Sequence, residues 1–316
     1  MEEAVNIVSL FVPQGTEAVS AKGRDPESTF SYKTVEEPVD TLMPLMVLVN
    51  SGSASSSEIV AGALQDLDRA VIMGTRTFGK GLVQSIRPMG YNSKMKFTTA
   101  KYYTPSGRCV QAIDYTRRNA DGSAGNVPDS LKKEFKTKGG RSVYDGGGIA
   151  PDVEIASEVF SRPVVSLAVN DIMNDYALLY YASHPRIASP ADFRLSDYEY
   201  ADFVDYASGR NFDSRSAAQV QIDQMIRSAQ EEGLYERSKG QFDALTESLN
   251  LSKAQILNMK REEIQPLVEE EIVSKYYLIP GKVEAIVRTD RQLQKAVEKW
   301  KDFSFTGASE PVHSNK

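Results

Sequence analysis

Two apolar runs, joined by a small-residue turn and a helix, constrain the fold of this chain most strongly. Residues 45–50 and 70–73 are short and almost wholly apolar, which is typical of strands buried on both faces. Between them, the small residues of 51–57 lead into residues 58–66, whose apolar side chains recur with helical spacing. A strand, a helix and a second strand in this order form a right-handed crossover between parallel strands. The sequence therefore predicts an α/β fold with a parallel βαβ unit.

Patterned segments extend this α/β part on both sides of the predicted unit. Residues 2–12 have the pattern of an amphipathic helix that ends near Pro13. Residues 82–88 and 94–103 alternate like paired strands. Residues 116–141 are rich in Gly, Asn, Asp, Lys and Arg, so we expect an exposed excursion there.

The character of the chain changes near residue 160, where helical periodicity replaces alternation. The chain has 316 residues, and at about 150 residues per domain this length suggests two domains. We predict an α/β domain over residues 1–158, a mostly helical domain over 159–303 and a flexible tail over 304–316. The predicted helices cover residues 163–183, 214–232, 234–249, 252–277 and 281–300, with Ser252 and Thr289 as caps.

Composition argues against several classes of function. The chain has 37 Lys and Arg against 43 Asp and Glu, so its net charge of −6 does not favour a general nucleic-acid binder. A single cysteine, Cys109, excludes an internal disulfide and a cysteine-based zinc site. His184 ends a predicted helix and His313 lies in a polar tail, so we expect both to be structural or solvated. We predict no metal, no cofactor and no transmembrane segment, and any hydrolytic chemistry must move protons without histidine.

The densest chemical signal is the serine-rich turn at residues 51–58. A serine at the end of a parallel strand lies at the sheet edge where open α/β folds place their sites. The first amides of the following helix point to that edge and can stabilise a developing oxyanion. Ser55 and Glu58 also fit a capping box, in which the hydroxyl only satisfies a backbone amide. This segment alone favours capping over catalysis.

A serine nucleophile needs a base, and Lys80 lies in the small-residue loop 74–81. A lysine accepts a proton only when it is neutral, which is rare at its ordinary pKa of about 10.4. Burial lowers the pKa of a lysine toward the useful range. We expect Phe78 and the strand residues 71–73 to provide apolar walls for Lys80, although a lysine flanked by glycines is more often a solvated loop charge.

Two further patterns in the sequence are treated as coincidences. Gly74, Gly79 and Lys80 nearly form a phosphate-binding loop, but the next residue is Gly81, so the hydroxyl that binds magnesium is missing. The residues that follow have a strand pattern, where such a loop would open a helix. Ser130 and Lys133 have the spacing of a serine–lysine motif but lie in a charged stretch without apolar surroundings.

Three segments together resemble the carboxy-terminal processing, or tail-specific, proteases of serine peptidase family S41. They are VLVNSGSASSSEIVAGALQD at residues 47–66, GTRTFGKGLVQ at 74–84 and DGGGIAPD at 145–152. The resemblance covers about residues 1–156. It implies a crotonase- or ClpP-like core with parallel βαβ units, no cofactor, and protein or peptide substrates that are recognised through their C-terminal tails.

The resemblance also implies a role for four residues. The family's nucleophile is the serine two positions before the Ser-Glu pair, which is Ser55 here, and its lysine base follows 25 positions later, at Lys80. The glutamine that orients the lysine falls at Gln84, and the backbone amide of Ser56 matches one oxyanion donor. In this scheme Ser55 attacks the scissile carbonyl, neutral Lys80 takes its proton, and water releases the acyl-enzyme. A serine–lysine dyad of this kind agrees with the scarcity of histidine.

Two features of the family do not occur in this sequence. Family members carry a PDZ domain that captures substrate tails before the catalytic core. They also carry an Asp-Leu-Arg-x-Asn-x-Gly-Gly strand and loop, in which a glycine supplies the second oxyanion donor. We therefore expect that Met1 is an internal start. The family usually acts in the periplasm or cell envelope, so the resemblance implies an extracytoplasmic location, although this chain shows no signal peptide.

Three functions remain open from the sequence. The first is a serine endopeptidase that cleaves proteins near their C-termini, acting as a monomer or as a homo-oligomer. The second is a catalytically incomplete remnant, a pseudoenzyme or protein-binding scaffold without the PDZ domain and oxyanion loop. The third uses the fold relationship to crotonases and predicts binding of coenzyme A.

Overall fold

The structure, a computed structural model, describes residues 1–300 except residues 26 and 28. The tail predicted over 304–316, with His313, lies outside the described residues. The chain divides into two compact units. Unit 1 contains residues 1–157 and the stretch that begins at Gln292, and unit 2 contains residues 158–291. Unit 2 is therefore inserted into the sequence of unit 1.

Unit 1 combines helices with two main sheets. A single 3₁₀ turn, Asp129–Leu131, lies in the excursion predicted over 116–141. The elements in chain order are α1 (Glu2–Ser9), β1 (Glu17–Gly23), β2 (Phe30–Lys33), β3 (Met46–Val49), α2 (Ser56–Asp66), β4 (Val71–Gly74), β5 (Leu82–Gly90), β6 (Ser93–Tyr103), β7 (Ile113–Arg118), β8 (Ala124–Asn126), β9 (Glu134–Lys136), β10 (Ser142–Tyr144) and β11 (Val153–Glu154).

The parallel sheet confirms the predicted α/β fold. Its strand order is β11-β4-β3, and both pairings are parallel. The register places Val49 opposite Gly74, so β3 and β4 end at the same edge. Helix α2 connects them, as the βαβ pattern predicts. The turn that precedes α2 and the loop that follows β4 therefore start from the same edge of this sheet.

A second sheet is antiparallel and has the order β2-β1-β6-β5. Strands β5 and β6 form the hairpin predicted from their alternation, with Leu82 opposite Lys101 and Gly90 opposite Ser93. Strand β1 pairs with the end of β6, where Ala21 lies opposite Tyr102. The base of the hairpin is thus part of the sheet, and the first residues of β5 follow directly on the loop of Lys80.

Helix α2 lies over one core of unit 1, and a second, smaller core lies beside the parallel sheet. The first core contains Ile59 and Leu64 of α2 with Ile72 and Tyr102. In the second, Met73 and Ile155 pack with Ala296 of the last helix, α10 (Arg291–Trp300). The sequence placed this helix in the helical domain, whereas in the structure Ala296 is buried against the parallel sheet of unit 1.

Unit 2 is helical, in agreement with the predicted helical C-terminal region, around a core that contains Leu167, Phe203 and Val268. Its helices are α3 (Arg162–Val169), α4 (Ile172–Ser183), α5 (Asp197–Ser208), α6 (Ala217–Glu231), α7 (Tyr235–Leu249), α8 (Lys253–Met259) and α9 (Arg261–Thr289).

Two details of unit 2 differ from the sequence prediction, and one agrees with it. Helix α5 was not predicted, although Ser196 and Glu199 form a capping box at its start. Ser252 caps α8 as predicted. Thr289 is the last residue of α9 rather than a cap, because the backbone leaves the helical conformation at Asp290. Among the described residues, no helix is both long and apolar enough to cross a membrane.

Candidate active site

Ser55 adopts a backbone conformation that few residues other than glycine adopt. It lies between β3 and α2 as the N-terminal cap of the helix, with φ 55° and ψ −113°. A side chain in such a region costs about 1–3 kcal/mol and persists only where the surrounding structure imposes it. The sharp turn leaves Ser55 half-buried at the edge of the parallel sheet. Strain of this kind is concentrated at functional sites.

The residues that the structure describes include four capping boxes, and three of them serve as internal references for Ser55. Ser196, Ser216 and Ser252 have φ between −64° and −67°, and each hydroxyl accepts the amide three residues later. Ser55 and Glu58 form the same box, but the contact between the Ser55 hydroxyl and the Glu58 amide falls short of a hydrogen bond. The amide of Glu58 donates instead to the backbone carbonyl of Ser55, at 2.9 Å. The hydroxyl of Ser55 therefore caps its helix less firmly than the other three serines cap theirs.

Glu58 connects the turn of Ser55 to the loop of Lys80. Its side chain is fully buried. Oε2 accepts the amides of Ser55 at 3.0 Å and Lys80 at 2.8 Å. Oε1 accepts the Thr77 hydroxyl at 2.6 Å and the Gly79 amide at 2.7 Å. One carboxylate thus holds the backbones of both predicted dyad residues, a role that the sequence showed only as a helix cap.

The same contacts explain why the loop 74–81 does not resemble a phosphate-binding loop in structure. The amides of Gly79 and Lys80 donate to Glu58, so a carboxylate of this chain occupies the position of an anion. The residues after the loop form strand β5, as the sequence predicts. Gly81 donates its amide to the side chain of Gln111, a further contact that fixes the loop.

The apolar pocket expected around Lys80 does not form. The side chain of Lys80 is exposed, and Phe78 is 51% exposed. Ile72 and Met73 are fully buried, but they face the two cores on opposite sides of β4. Among the described residues, the Lys80 ammonium makes no ion pair. The expectation of burial was wrong because both faces of this strand are already covered by other elements.

Tyr102 is a residue of the site that the sequence analysis did not identify. It lies on β6 and is 2% exposed. Its hydroxyl donates to the backbone carbonyl of Ser55 at 3.2 Å and to the backbone carbonyl of Lys80. Burial, together with the charge of Glu58, raises the pKa of Tyr102. The phenol therefore keeps its proton and acts as a donor to both carbonyls.

Gln84 lies on β5, opposite Thr98, and its side chain is exposed. It lines a cavity of about 430 Å³ together with Leu82, Lys101 and Gln111. Within the described residues, Gln84 makes no hydrogen bond to Lys80. The orienting contact implied by the family resemblance is therefore not formed in this structure.

The amide of Ser56 lies in the first turn of α2. The amides of Ser57 and Glu58 donate to the carbonyls of Ala54 and Ser55. In the described part of the chain the Ser56 amide has no such acceptor, and the residue is exposed. Ser53 is a turn residue, since its hydroxyl accepts the amide of Asn50 at 3.1 Å.

The segment 145–152 packs against Thr77, in the loop that contains Lys80. The amide of Ile149 donates to the Thr77 hydroxyl at 2.6 Å, and the amide of Thr77 donates to the carbonyl of Ile149. Gly148 has φ 68°, and a Cβ at this position would lie 2.5 Å from the Thr77 carbonyl oxygen. Only glycine allows this approach, which fixes Thr77 for its hydrogen bond to Glu58.

The groups excluded by the sequence do not lie at the site. His184 stacks on Tyr180, with 3.9 Å between ring centroids, and its Nδ1 is 3.0 Å from the Tyr180 carbonyl. Cys109 is a free, half-buried thiol, and burial raises its pKa. Among the described residues, no group of three His, Cys, Asp or Glu side chains is placed to hold a metal ion.

Comparison with known proteins identifies the family that this geometry fits. Residues 1–117 match the sequence profile "Peptidase family S41". Residues 164–299 match the profile "Probable PDZ-protease, C-terminal helical domain". Residues 1–117 of this chain are therefore similar to peptidase family S41.

Individual relatives agree with this S41 assignment. A carboxy-terminal-processing protease of Bartonella bacilliformis is 46% identical over 116 residues, which is 37% of this chain and 26% of that protein. A probable CtpA-like serine protease of Staphylococcus aureus is 39% identical over 112 residues, 35% of this chain and 22% of that protein. The S41 segment thus spans about a quarter of the length of these relatives.

A solved structure is also similar to the S41 segment. The photosystem II D1 C-terminal processing protease is 30% identical, with a TM-score of 0.36, over 50% of this chain and 32% of that one.

Proposed function

We propose that this chain carries the catalytic segment of a serine endopeptidase that cleaves proteins near their C-termini. The observation that carries the proposal is the strained turn of Ser55, on which the hydroxyl makes no full capping hydrogen bond. The Lys80 loop is held to the same carboxylate and the same phenol as this turn. The substrate class is supported by the relative from Bartonella bacilliformis, which is a carboxy-terminal-processing protease.

In the proposed reaction the Ser55 oxygen attacks the scissile carbonyl and Lys80, in its neutral form, accepts the hydroxyl proton. The amide of Ser56 hydrogen-bonds the oxyanion that forms. Lys80 then protonates the leaving amine, and an acyl group remains on Ser55. A water molecule, deprotonated by Lys80, hydrolyses this ester and returns the enzyme to its first state. The assignment of Gln84 to orienting Lys80 rests on the family resemblance alone.

A second candidate, a binding scaffold without a working base, is favoured by one observation. The Lys80 side chain is exposed and does not contact Gln84. Such a scaffold would still bind protein tails but would not turn them over. An extracytoplasmic location and a homo-oligomeric state are parts of the proposal that rest on resemblance.

Active-site labelling tests the dyad directly. A fluorophosphonate is expected to label the wild-type chain at Ser55, and Ser55→Ala is expected to abolish labelling and peptide cleavage. Lys80→Ala is expected to reduce the labelling rate by about 10³-fold or more, because it removes the base. Ser57→Ala and Lys94→Ala, which change exposed residues of the same types, serve as controls. Cleavage that survives in either dyad variant would contradict the role of that residue, and an unlabelled wild-type chain would favour the scaffold.

A further inference from the structure

The positive φ of Ser55 needs a physical cause. Comparison with the three other capping boxes shows which contacts cannot be this cause. In each box the serine amide donates to the side chain three residues later, as Ser55 does to Glu58. In each, the serine carbonyl accepts the amide four residues later, as Ser55 does from Ile59. These contacts are common to all four serines. They therefore do not explain why Ser55 alone has a positive φ.

Besides the Glu58 amide that its carbonyl accepts, one side-chain hydrogen bond distinguishes Ser55 from the other three serines. Among the described residues, the carbonyl of Ser55 accepts a side-chain donor, the Tyr102 hydroxyl, and the carbonyls of Ser196, Ser216 and Ser252 do not. The donor is rigidly placed. Tyr102 is buried in the core of unit 1, and its backbone amide donates to the carbonyl of Gly81, next to Lys80.

The same hydroxyl donates to the carbonyl of Lys80. A phenol has one proton, so the two carbonyls share it, and both must lie within reach of one oxygen. The turn of Ser55 and the loop of Lys80 are thereby held at a fixed separation from a common point on β6. Glu58 provides a parallel connection through the amides of the same two residues.

We propose that Tyr102 is a positioning residue that holds Ser55 out of the ordinary capping conformation and weakens the capping contact of its hydroxyl, which leaves this hydroxyl available to Lys80. The hydroxyl of Tyr102 pulls the Ser55 carbonyl toward β6, and the rotated peptide carries the Ser55 side chain away from the amide of Glu58. This inference rests on the proposed peptidase function for its catalytic consequence. Its conformational part concerns Ser55 alone and can be tested without activity.

A merely structural role for Tyr102 predicts a different result. Buried tyrosines usually find an acceptor for their hydroxyl, and loss of that bond lowers stability without changing the geometry of a remote site. The two roles therefore differ in what Tyr102→Phe does to Ser55. The matched control is Tyr103→Phe, which removes a hydroxyl from the next residue of β6, where Lys22 lies over the ring.

The experiment compares crystal structures and labelling kinetics of the wild-type chain, Tyr102→Phe and Tyr103→Phe. In Tyr102→Phe we expect Ser55 to relax to a φ near those of the other three boxes, with its hydroxyl accepting the amide of Glu58. We expect the fluorophosphonate labelling rate and kcat to fall by about 10- to 100-fold, with KM changed less than about twofold, because misplacement of a nucleophile affects the chemical step. Tyr103→Phe is expected to match the wild type in both respects.

Several outcomes would overturn the inference. A positive φ at Ser55 retained in Tyr102→Phe contradicts it, and so does an equal loss of labelling in Tyr103→Phe. If Tyr102→Phe does not fold, the wild-type crystal structure decides: a Ser55 hydroxyl bound to the Glu58 amide would contradict the proposal. A wild-type chain that is not labelled at Ser55 contradicts the peptidase function instead, and the comparison of Ser55 conformations still tests Tyr102.

Discussion

At the scale of single residues, Glu58 carries more contacts than a helix cap requires. Its carboxylate accepts hydrogen bonds from three amides and one hydroxyl, and it is fully buried. Two capping boxes of the same chain use glutamine at the corresponding position, Gln219 and Gln255. A capping box alone therefore tolerates an amide. The four donors around Glu58 do not, because the NH₂ of a glutamine would face groups that also donate.

We therefore expect Glu58→Gln to lower both the stability of unit 1 and the reactivity of Ser55. It should lower the free energy of unfolding of unit 1 by about 2–4 kcal/mol, since two buried donors lose their acceptor. It should also lower the rate of fluorophosphonate labelling by at least about 100-fold, through displacement of Ser55 and Lys80. Thermal unfolding and labelling rates measure the two effects. The control is Glu199→Gln, at the same position of an exposed box, and similar losses in both variants would show that capping alone explains Glu58.

The sequence indicated candidate residues within single segments, but it did not predict what surrounds them in the fold. The spacing of Ser55 and Lys80 was visible because both lie in short segments next to the strands of one βαβ unit. Tyr102 was not visible, because it lies 47 residues from Ser55 and is brought there only by pairing of β6 with β1 and β5. The environment of Lys80 was mispredicted for the same reason. Apolar residues that are close to a lysine in sequence pack into the cores beside their own strand, and they need not contact the lysine.

At the scale of elements, the break that the sequence indicated after residue 277 is a sharp kink in α9. Leu278 has φ 56° and ψ −156°, and Pro280 follows, which cannot continue the helical hydrogen bonding. The two arms of α9 lie side by side. Arg288 pairs with Glu269 at 2.6 Å, and Lys282 pairs with Glu271 at 2.5 Å. The hydrophobic periodicity of the sequence located this kink. The breaks between helices at residues 170–171 and at Lys260 are shorter, and they disturb the periodicity too little to be detected.

The kink leaves Glu270 in an environment where its ionisation has a measurable effect on the free energy of unfolding. Burial raises the pKa of Glu270 to about 6, against an opposing contribution from Lys282. A carboxyl whose pKa is higher in the folded state favours folding below its unfolded pKa, and this contribution is lost as the pH rises through 6. Glu270→Gln cannot ionise and keeps an acceptor for Thr289. We therefore expect this variant to be more stable than the wild type by about 2 kcal/mol at pH 8.

The difference between Glu270→Gln and the wild type should shrink between pH 7 and pH 4. Urea unfolding of both proteins across this range measures it. Glu262→Gln, an exposed change on the same helix, controls for a general effect of removing one negative charge. A difference that does not vary with pH, or that appears equally in the control, would contradict the prediction.

At the scale of the whole molecule, the order of the sequence and the division into units do not coincide. Periodicity showed correctly that residues after about 160 are helical, but every helix of that stretch was assigned to one domain. Helix α10 belongs with the α/β unit, where Gln292 donates to the carbonyl of Val49, one residue before the turn that leads to Ser55. A pattern of apolar spacing shows that a helix has a buried face. It does not show which unit covers that face.

The position of α10 predicts which unit depends on it. Ala296 is 4% exposed beside Met73 and Ile155, so Ala296→Asp would bury an unpaired charge there. We expect it to destabilise unit 1 by about 3 kcal/mol and to leave unit 2 unaffected. Hydrogen exchange should therefore become faster in peptides that contain β4 and β11 and stay unchanged in those of α4 and α5. Val297→Asp changes a residue that is 57% exposed and should alter neither group of peptides. Faster exchange confined to the helices of unit 2 would mean that α10 packs there, and that the sequence-based assignment of this helix was correct.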